Sequence, residues 1–293
     1  MRVPSCSALS LERAEDLAGT ASLVSRWLLL EDPGPWGYDA LLDNKVPAPL
    51  LDELRAWART VGARFILIRR RPRRRQDERR LFVAGSRRGH EWLRSMSSTD
   101  ADALMSLDRS DFQDPDRFPG EPADPLFLIC THGRHDQCCS INGNPVAQAL
   151  CAAYGERAWE CSHIGGDRFA ANVVCLPHGA YFGRVTTESA ETVVETYEAG
   201  RLDLERFRGW STLPFAVQAA ESKLRRDFDL AGIDEVSVVN WERIDRWHHR
   251  ATFATKGHGE QRVLITTSQS DEHYLTCRST QRGRAPVFEI TPD

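Results

Sequence analysis

The stretch from Phe127 to Val185 holds six of the chain's eight cysteines and four of its nine histidines. Soft thiolate and imidazole donors gathered this densely point to a metal or redox centre more than to packing. A short apolar run, Phe127-Leu128-Ile129, ends at Cys130, and a polar loop from Thr131 to Gly143 carries His132, His135, Cys138 and Cys139. A second apolar run ends in Cys161-Ser162-His163, followed by Gly165-Gly166-Asp167. As strands, both runs deliver donors at neighbouring strand ends, where loops can bring them to one point. Gly165 and Gly166 permit a sharp turn and close backbone approach, with N–H groups free to donate.

These residues also carry a family likeness. Cys130-Thr131-His132-Gly133, Asp136-Gln137-Cys138-Cys139, the run from Trp159 to Gly166, Arg168-Phe169-Ala170-Ala171-Asn172 and Gly183-Arg184-Val185 resemble the sucrase/ferredoxin-like family. The metal-binding domain of that family is similar to the thioredoxin-like [2Fe–2S] ferredoxins. The close match covers about a fifth of the chain. The resemblance implies a [2Fe–2S] cluster held by two cysteines and two histidines, the latter in a His-x-Gly-Gly-His motif. By position, Cys130 and Cys139 match the cysteines and His163 matches the first histidine. Asp167 stands where the second would be. Imidazole in place of thiolate raises a cluster's potential by removing negative charge, and a carboxylate at Asp167 would lower it again.

The residues themselves leave alternatives for the fourth donor. Cys161 shares a strand face with His163, two positions away. Cys138 could replace Cys139 or sit behind it. Asp167 could instead pair with Arg168 or Arg184, and His132 and His135 could simply hydrogen-bond the loop. The other cysteines have plain readings: Cys175 as strand core, Cys277 as core of a C-terminal sheet, Cys151 beside a helix face and Cys6 in a frayed terminus. His248, His249 and His258 lack partners at ligand spacing.

The function this implies is an electron carrier, not an enzyme with its own substrate. It would take one electron from a flavoprotein reductase or other redox protein. Two alternatives lack a cluster. One is a zinc-stabilised protein using Cys130, Cys139, Cys161 and His163. The other is a thiol oxidoreductase, which wants Cys-x-x-Cys at a helix N-terminus; the chain has no such motif, and the expected helix opens only at Asn144-Pro145. No carboxylate pair sits in a glycosidase motif.

Composition bounds the rest. At 293 residues the chain exceeds what one core usually organises, and 41% apolar residues supply material for more than one. A net charge of −4 and a pI near 6.2 exert no global pull on nucleic acid or anionic membranes. The first residues lack an apolar export segment, and no run approaches a membrane span, so a soluble cytoplasmic protein is expected.

The positioning elements follow from periodicity. Trp27–Glu31 reads as a strand, and Pro49 opens a helix with Leu50, Leu54, Trp57 and Val61 inward, closed by Gly62. Phe65–Ile68 reads as a buried strand with Leu81–Ala84 as its antiparallel neighbour. The basic run Arg69–Arg80 between them is either a solvated hairpin tip or a docking patch. It has no interleaved aromatic residues, which argues against nucleic acid. Residues 97–125 read as a linker with one short helix, Asp100–Leu107. Around the cysteine loop the order β-α-β-β-α emerges, its last helix capped at Thr187 and stopped at Gly200. A helix from Pro214 to Leu230 and strands at Val236–Trp241, Ala251–Thr255, Val263–Thr267, Tyr274–Arg278 and Val287–Ile290 complete the chain. The expectation is an α/β protein in which a thioredoxin-like metal-binding domain spans 121–205. An N-terminal α/β domain over 1–120, in element order a degenerate thioredoxin-like half, precedes it. The segment 206–293 is a helix with antiparallel strands that either completes the N-terminal domain or stands alone.

Overall fold

The computed structural model describes residues 5–71, 78–98, 105 and 116–293. After a short helix α1 (Cys6–Glu12) come β1 (Arg26–Glu31), α2 (Ala48–Val61), β2 (Arg64–Arg69), β3 (Arg79–Gly85) and β4 (Trp92–Ser98). Pro49 lies in the first turn of α2, where its missing N–H costs nothing, and Leu50, Leu54, Trp57 and Val61 are buried. A two-residue β5 (Glu121–Pro122) leads to β6 (Leu126–Cys130), α3 (Gln137–Tyr154), β7 (Ala158–Cys161), β8 (Val173–Leu176), β9 (Ala180–Phe182), α4 (Thr187–Glu198) and β10 (Phe207–Trp210). Thr186, one residue earlier than expected, caps α4 in a reciprocal pair with Ser189.

These ten strands form one sheet in the order β10-β9-β8-β6-β7-β2-β1-β3-β4-β5. Counted outward from the centre, the plan is the same in both directions. β1 and β2 are parallel across α2, as β6 and β7 are across α3. β3 runs antiparallel to β1, and β8 to β6; β4 and β9 follow as hairpin partners. The second half, closed by α4, has the order of a thioredoxin-like core, and the first half repeats its strand plan. The halves meet where β2 and β7 pair antiparallel, Ile68 opposite Cys161 and Arg69 opposite Glu160. Leu81–Ala84 therefore does not neighbour Phe65–Ile68 as expected. It pairs with β1, because the other edge of β2 is taken by β7.

Strand alternation divides the core. Leu28 and Leu30 face α2, whereas Phe127 and Ile129 pack with Val146 and Leu150 of α3 and Val193 of α4. Trp27, Leu29, Ile66 and Ile68 share a third cluster with Leu128, Cys130, Trp159 and Cys161, so the two halves have a core in common. Strands from both sides of the expected boundary at residue 120 thus belong to one sheet. The described ends of the basic run close this seam: Arg69 and Arg71 each lie 2.6 Å from the buried Glu160, and Arg70 lies 2.9 Å from Glu31. Burial works against charge on Glu160, but the two guanidiniums hold its pKa below the usual carboxylate range. Residues 72–77 lie outside the described residues, as does the expected helix Asp100–Leu107 apart from Met105.

The remainder is α5 (Phe215–Asp227) and a four-stranded antiparallel sheet, β11 (Val236–Arg243), β12 (His248–Thr255), β13 (Gly259–Gln269) and β14 (Pro286–Pro292). It forms its own sheet instead of completing the first. Val217, Ala220 and Leu224 of α5 pack against Ala251, Phe253 and Ile265. Buried Arg225 pairs with Glu221 at 2.7 Å and donates to the carbonyls of Leu230, Gly232, Ile233 and Val236. Tyr274–Arg278 is no strand but part of an irregular excursion between β13 and β14, with Cys277 in a turn. Among the described residues no helix is long and apolar enough to cross a membrane.

Candidate metal centre

Cys130 ends β6 directly opposite Cys161, which ends β7, and both are buried. The helix that follows starts eight residues earlier than Asn144-Pro145 suggested. Asp136 is its N-cap, accepting from the Cys138 N–H at 2.9 Å. Pro145 lies inside α3 and forfeits one backbone bond, while the neighbouring Asn144 amide donates to the Ser140 carbonyl at 2.8 Å. The early start places both vicinal cysteines in the first turn, where successive side chains diverge by about 100°. Cys139 turns toward Cys130. Cys138 turns away, its sulfur 3.5 Å from Cys6 and 3.2 Å from Cys277. Gly143, a turn further on, lets α3 lie against the Cys130 carbonyl, which a Cβ would overlap.

The other donors come from the turn after β7. Gly165 and Gly166 take φ values of 96° and 81°. A side chain at Gly166 would collide with the Arg208 guanidinium, which is buried beneath the turn. Arg208 donates to the Gly165 carbonyl at 3.2 Å and to Asn172 Oδ1 at 2.8 Å, and Asn172 donates to the Gly166 carbonyl at 2.8 Å. Burial lowers the Arg208 pKa to about 10, so it still carries its charge at neutral pH.

Donor atoms of Cys130, Cys139 and His163 lie within 4.8 Å of one another, and so do those of His135, His163 and Asp167. Asp167 Oδ1 is 3.1 Å from Cys139 Sγ and 3.0 Å from His163 Nδ1. The structure thus gathers Cys130, Cys139, His163 and Asp167 at one point, with Cys161 against the Cys130 sulfur, while Cys138 faces elsewhere. Neither arginine offered as a partner takes Asp167. Arg168 pairs with Glu15 at 2.6 Å, and Arg184 donates to Ser10 and the Glu15 carbonyl.

The electrostatics favour charge separation. Hydrogen bonds from Cys139 and Cys161, with the imidazole of His163, hold the Cys130 thiol well below its usual pKa despite full burial. Burial opposes charging of His163, yet Asp167 and Cys130 raise its pKa to about 9. Donation to Cys130, together with burial, pushes the Cys139 thiol up.

His132 is committed elsewhere. Its Nδ1 accepts from the His163 N–H at 3.3 Å, leaving Nε2 to donate to the Gly37 carbonyl at 2.7 Å. His135 stacks on His163 at 3.8 Å between ring centroids and on Tyr38 at 5.4 Å. It is a further donor beside the site, where the sequence suggested no more than a hydrogen bond to the loop. The His163 side chain is 25% exposed, and a cleft of about 290 Å3 lined by Tyr38, Arg64, His132, His135 and Ser162 opens beside it.

His163 Nδ1 is buried without a hydrogen bond of good geometry although Asp167 is near. An imidazole nitrogen left in this state beside two thiols and a carboxylate fits a metal group of soft or borderline character. The sucrase/ferredoxin-like family profile matches residues 17–209, from before β1 into β10. The chain belongs to the sucrase/ferredoxin-like family. Among solved structures it is similar to the thioredoxin-like [2Fe–2S] ferredoxin from Aquifex aeolicus, at 18% identity and a TM-score of 0.28, covering 31% of this chain and 94% of that one. A cysteine-to-serine variant of the same ferredoxin aligns at 17% identity and a TM-score of 0.26, covering 29% and 97%. No match is found among curated proteins. In this sucrase/ferredoxin-like protein the matched residues contain the whole of the Cys130 centre, while Cys6 and Cys277 lie outside them.

Proposed function

We propose that the protein is an electron carrier that holds a [2Fe–2S] cluster on Cys130, Cys139, His163 and Asp167 and exchanges electrons with a flavoprotein reductase or other redox protein. The observation that carries this reading is the buried convergence of two thiols with the imidazole of His163 and the carboxylate of Asp167. When bound, the cluster supplies reversible one-electron transfer. The chain's own residues set the conditions. Cys130 and Cys139 are buried, which keeps water from the sulfurs. The Arg208 guanidinium beneath the Gly165-Gly166 turn offsets part of the negative charge of the donors. His163 and His135 reach the surface cleft as stacked rings, the edge through which a partner would approach.

The test is iron and acid-labile sulfide analysis of protein purified anaerobically, with the visible absorption that a cluster confers. Cys130→Ser and Cys139→Ser should each abolish it, and Cys175→Ser should not. Cys138→Ser should retain it, because that sulfur faces Cys6 and Cys277. Colourless protein without iron would refute the reading. A second reading, thiol redox chemistry without a cluster, gains one observation: Cys138 and Cys139 lie in the first turn of α3, where the helix N-terminus favours thiolates. Both are buried, however, and donation to Cys130 keeps Cys139 protonated.

A further inference from the structure

A second thiol cluster lies on the other side of the vicinal cysteine pair. Cys6 in α1, Cys138 in α3 and Cys277 in the turn between β13 and β14 bring three sulfurs to mutual separations of 3.5, 3.2 and 3.4 Å. A disulfide needs about 2.05 Å, so no pair is joined. Three thiolates around one zinc ion, with bonds of about 2.3 Å at the tetrahedral angle, lie about 3.8 Å apart. The observed triangle is a few tenths of an ångström short of that. Asp136 completes the group: its carboxylate oxygens are 3.8 and 3.9 Å from Cys6 Sγ, and all four donors lie within 4.8 Å of one another.

The arrangement is held from behind. Asp136 accepts from the Cys138 N–H at 2.9 Å and from the Cys277 N–H at 2.7 Å, fixing two of the three cysteines by their backbones. The Cys6 N–H donates to Cys277 Sγ at 3.3 Å, and the Ser7 hydroxyl donates to Cys138 Sγ at 3.2 Å. These are the outer contacts that orient thiolate ligands and spread their charge. The Cys6 thiol also donates to Cys138 Sγ at 3.5 Å, so Cys138 is the shared acceptor at the centre of the group. Three neutral thiols gain little from such close contact, whereas a soft divalent cation would draw all three into coordination.

We propose that Cys6, Cys138 and Cys277, with Asp136 as fourth donor, bind one zinc ion that ties the N-terminal helix and the C-terminal excursion to the start of α3. The three cysteines are separated by more than a hundred residues along the chain, so such an ion would cross-link three distant segments. The site is independent of the cluster reading, since none of these sulfurs belongs to the Cys130 centre.

The test uses the full chain with Cys130→Ser and Cys139→Ser together, which removes the first centre's thiols. After reduction and demetallation, titration with Co2+ should give thiolate-to-cobalt charge-transfer absorption saturating at one equivalent. Zn2+ should displace it and protect Cys6, Cys138 and Cys277 from alkylation, as read by peptide mass. In the otherwise native chain, Cys277→Ser and Cys6→Ser should each lose zinc while keeping far-ultraviolet dichroism. No cobalt absorption and no protection of the three peptides would overturn the proposal. So would zinc retained undiminished in both single variants. If a single variant does not fold, the cobalt titration and protection pattern of the double variant decide.

Discussion

Replacing His163 by Gln in the metal-free protein should make stability depend less on pH, and the structure gives the size and sign. His163 is held at a pKa of about 9 against burial, by Asp167 at 3.0 Å and by the Cys130 thiolate. Its ordinary value is 6.5. At about 1.4 kcal/mol per pKa unit, that difference favours the folded state by about 3 kcal/mol at most. The same attraction also lowers the Cys130 pKa, so it is counted once. Because the folded pKa is raised, the contribution is fully present below pH 6.5 and disappears as pH rises through about 9. Gln keeps a donor but carries no charge. Urea unfolding of reduced, demetallated wild type and His163→Gln should therefore differ by about 2–3 kcal/mol more below pH 6.5 than above pH 9. A difference that stays constant across that window would mean His163 is neutral throughout and would refute the charged triad of Cys130, His163 and Asp167.

Arg225→Ala should destabilise the fold by about 3–5 kcal/mol in denaturant unfolding, because it leaves Glu221 as an uncompensated buried charge and strips donors from four carbonyls. Gly166→Ala should cost about 1–2 kcal/mol for the left-handed backbone alone, and more for displacing Arg208, read as a lower melting temperature. If the proposed cluster is held by Asp167, Asp167→His should raise the midpoint potential in redox titration by removing ligand charge and should add a second proton step. With one histidine ligand, the wild-type slope should approach about 59 mV per pH unit, and identical curves would take Asp167 out of the ligand set and make Cys161 the leading fourth ligand.

Much of the architecture could be read from periodicity because its elements are amphipathic in the ordinary way. The Leu50, Leu54, Trp57, Val61 stripe with Pro49 and Gly62 around it leaves little choice but α2. The start of α3 was hidden by its own Pro145, which reads as a first-turn residue but sits mid-helix; the true cap, Asp136, stands inside a segment too polar to show helical periodicity. That shift is what separates Cys138 from Cys139. Strand pairing was also illegible: nothing in Phe65–Ile68 says that β7, 90 residues away, takes the edge that Leu81–Ala84 was expected to fill. The thiol group of Cys6, Cys138 and Cys277 was missed for a related reason. Metal motifs are recognised by short spacing, and here the spacing exists only in the fold.

The strand plan shared by the two halves explains why the chemistry sits where it does. The last pair of the second parallel unit is Cys130 opposite Cys161, and the last pair of the first is Glu31 opposite Ile68. Both pairs lie at the end of a parallel unit beside the seam, where Ile68 in turn faces Cys161. In the first half that position became a structural anchor: Glu31 accepts from Arg70 at 2.9 Å and from the Arg80 N–H at 3.1 Å. In the second half the same place holds thiols, and Glu160, the residue before Cys161, takes over the arginine pairing with Arg69 and Arg71. Thr131, next to Cys130, donates to Glu160 at 2.9 Å and accepts from Arg69 at 3.2 Å, so the arginine seam is bonded directly to the residue that follows a proposed ligand. The first half thus supplies, through Arg69 and the shared core, a rigid wall against which the donors of the second are held.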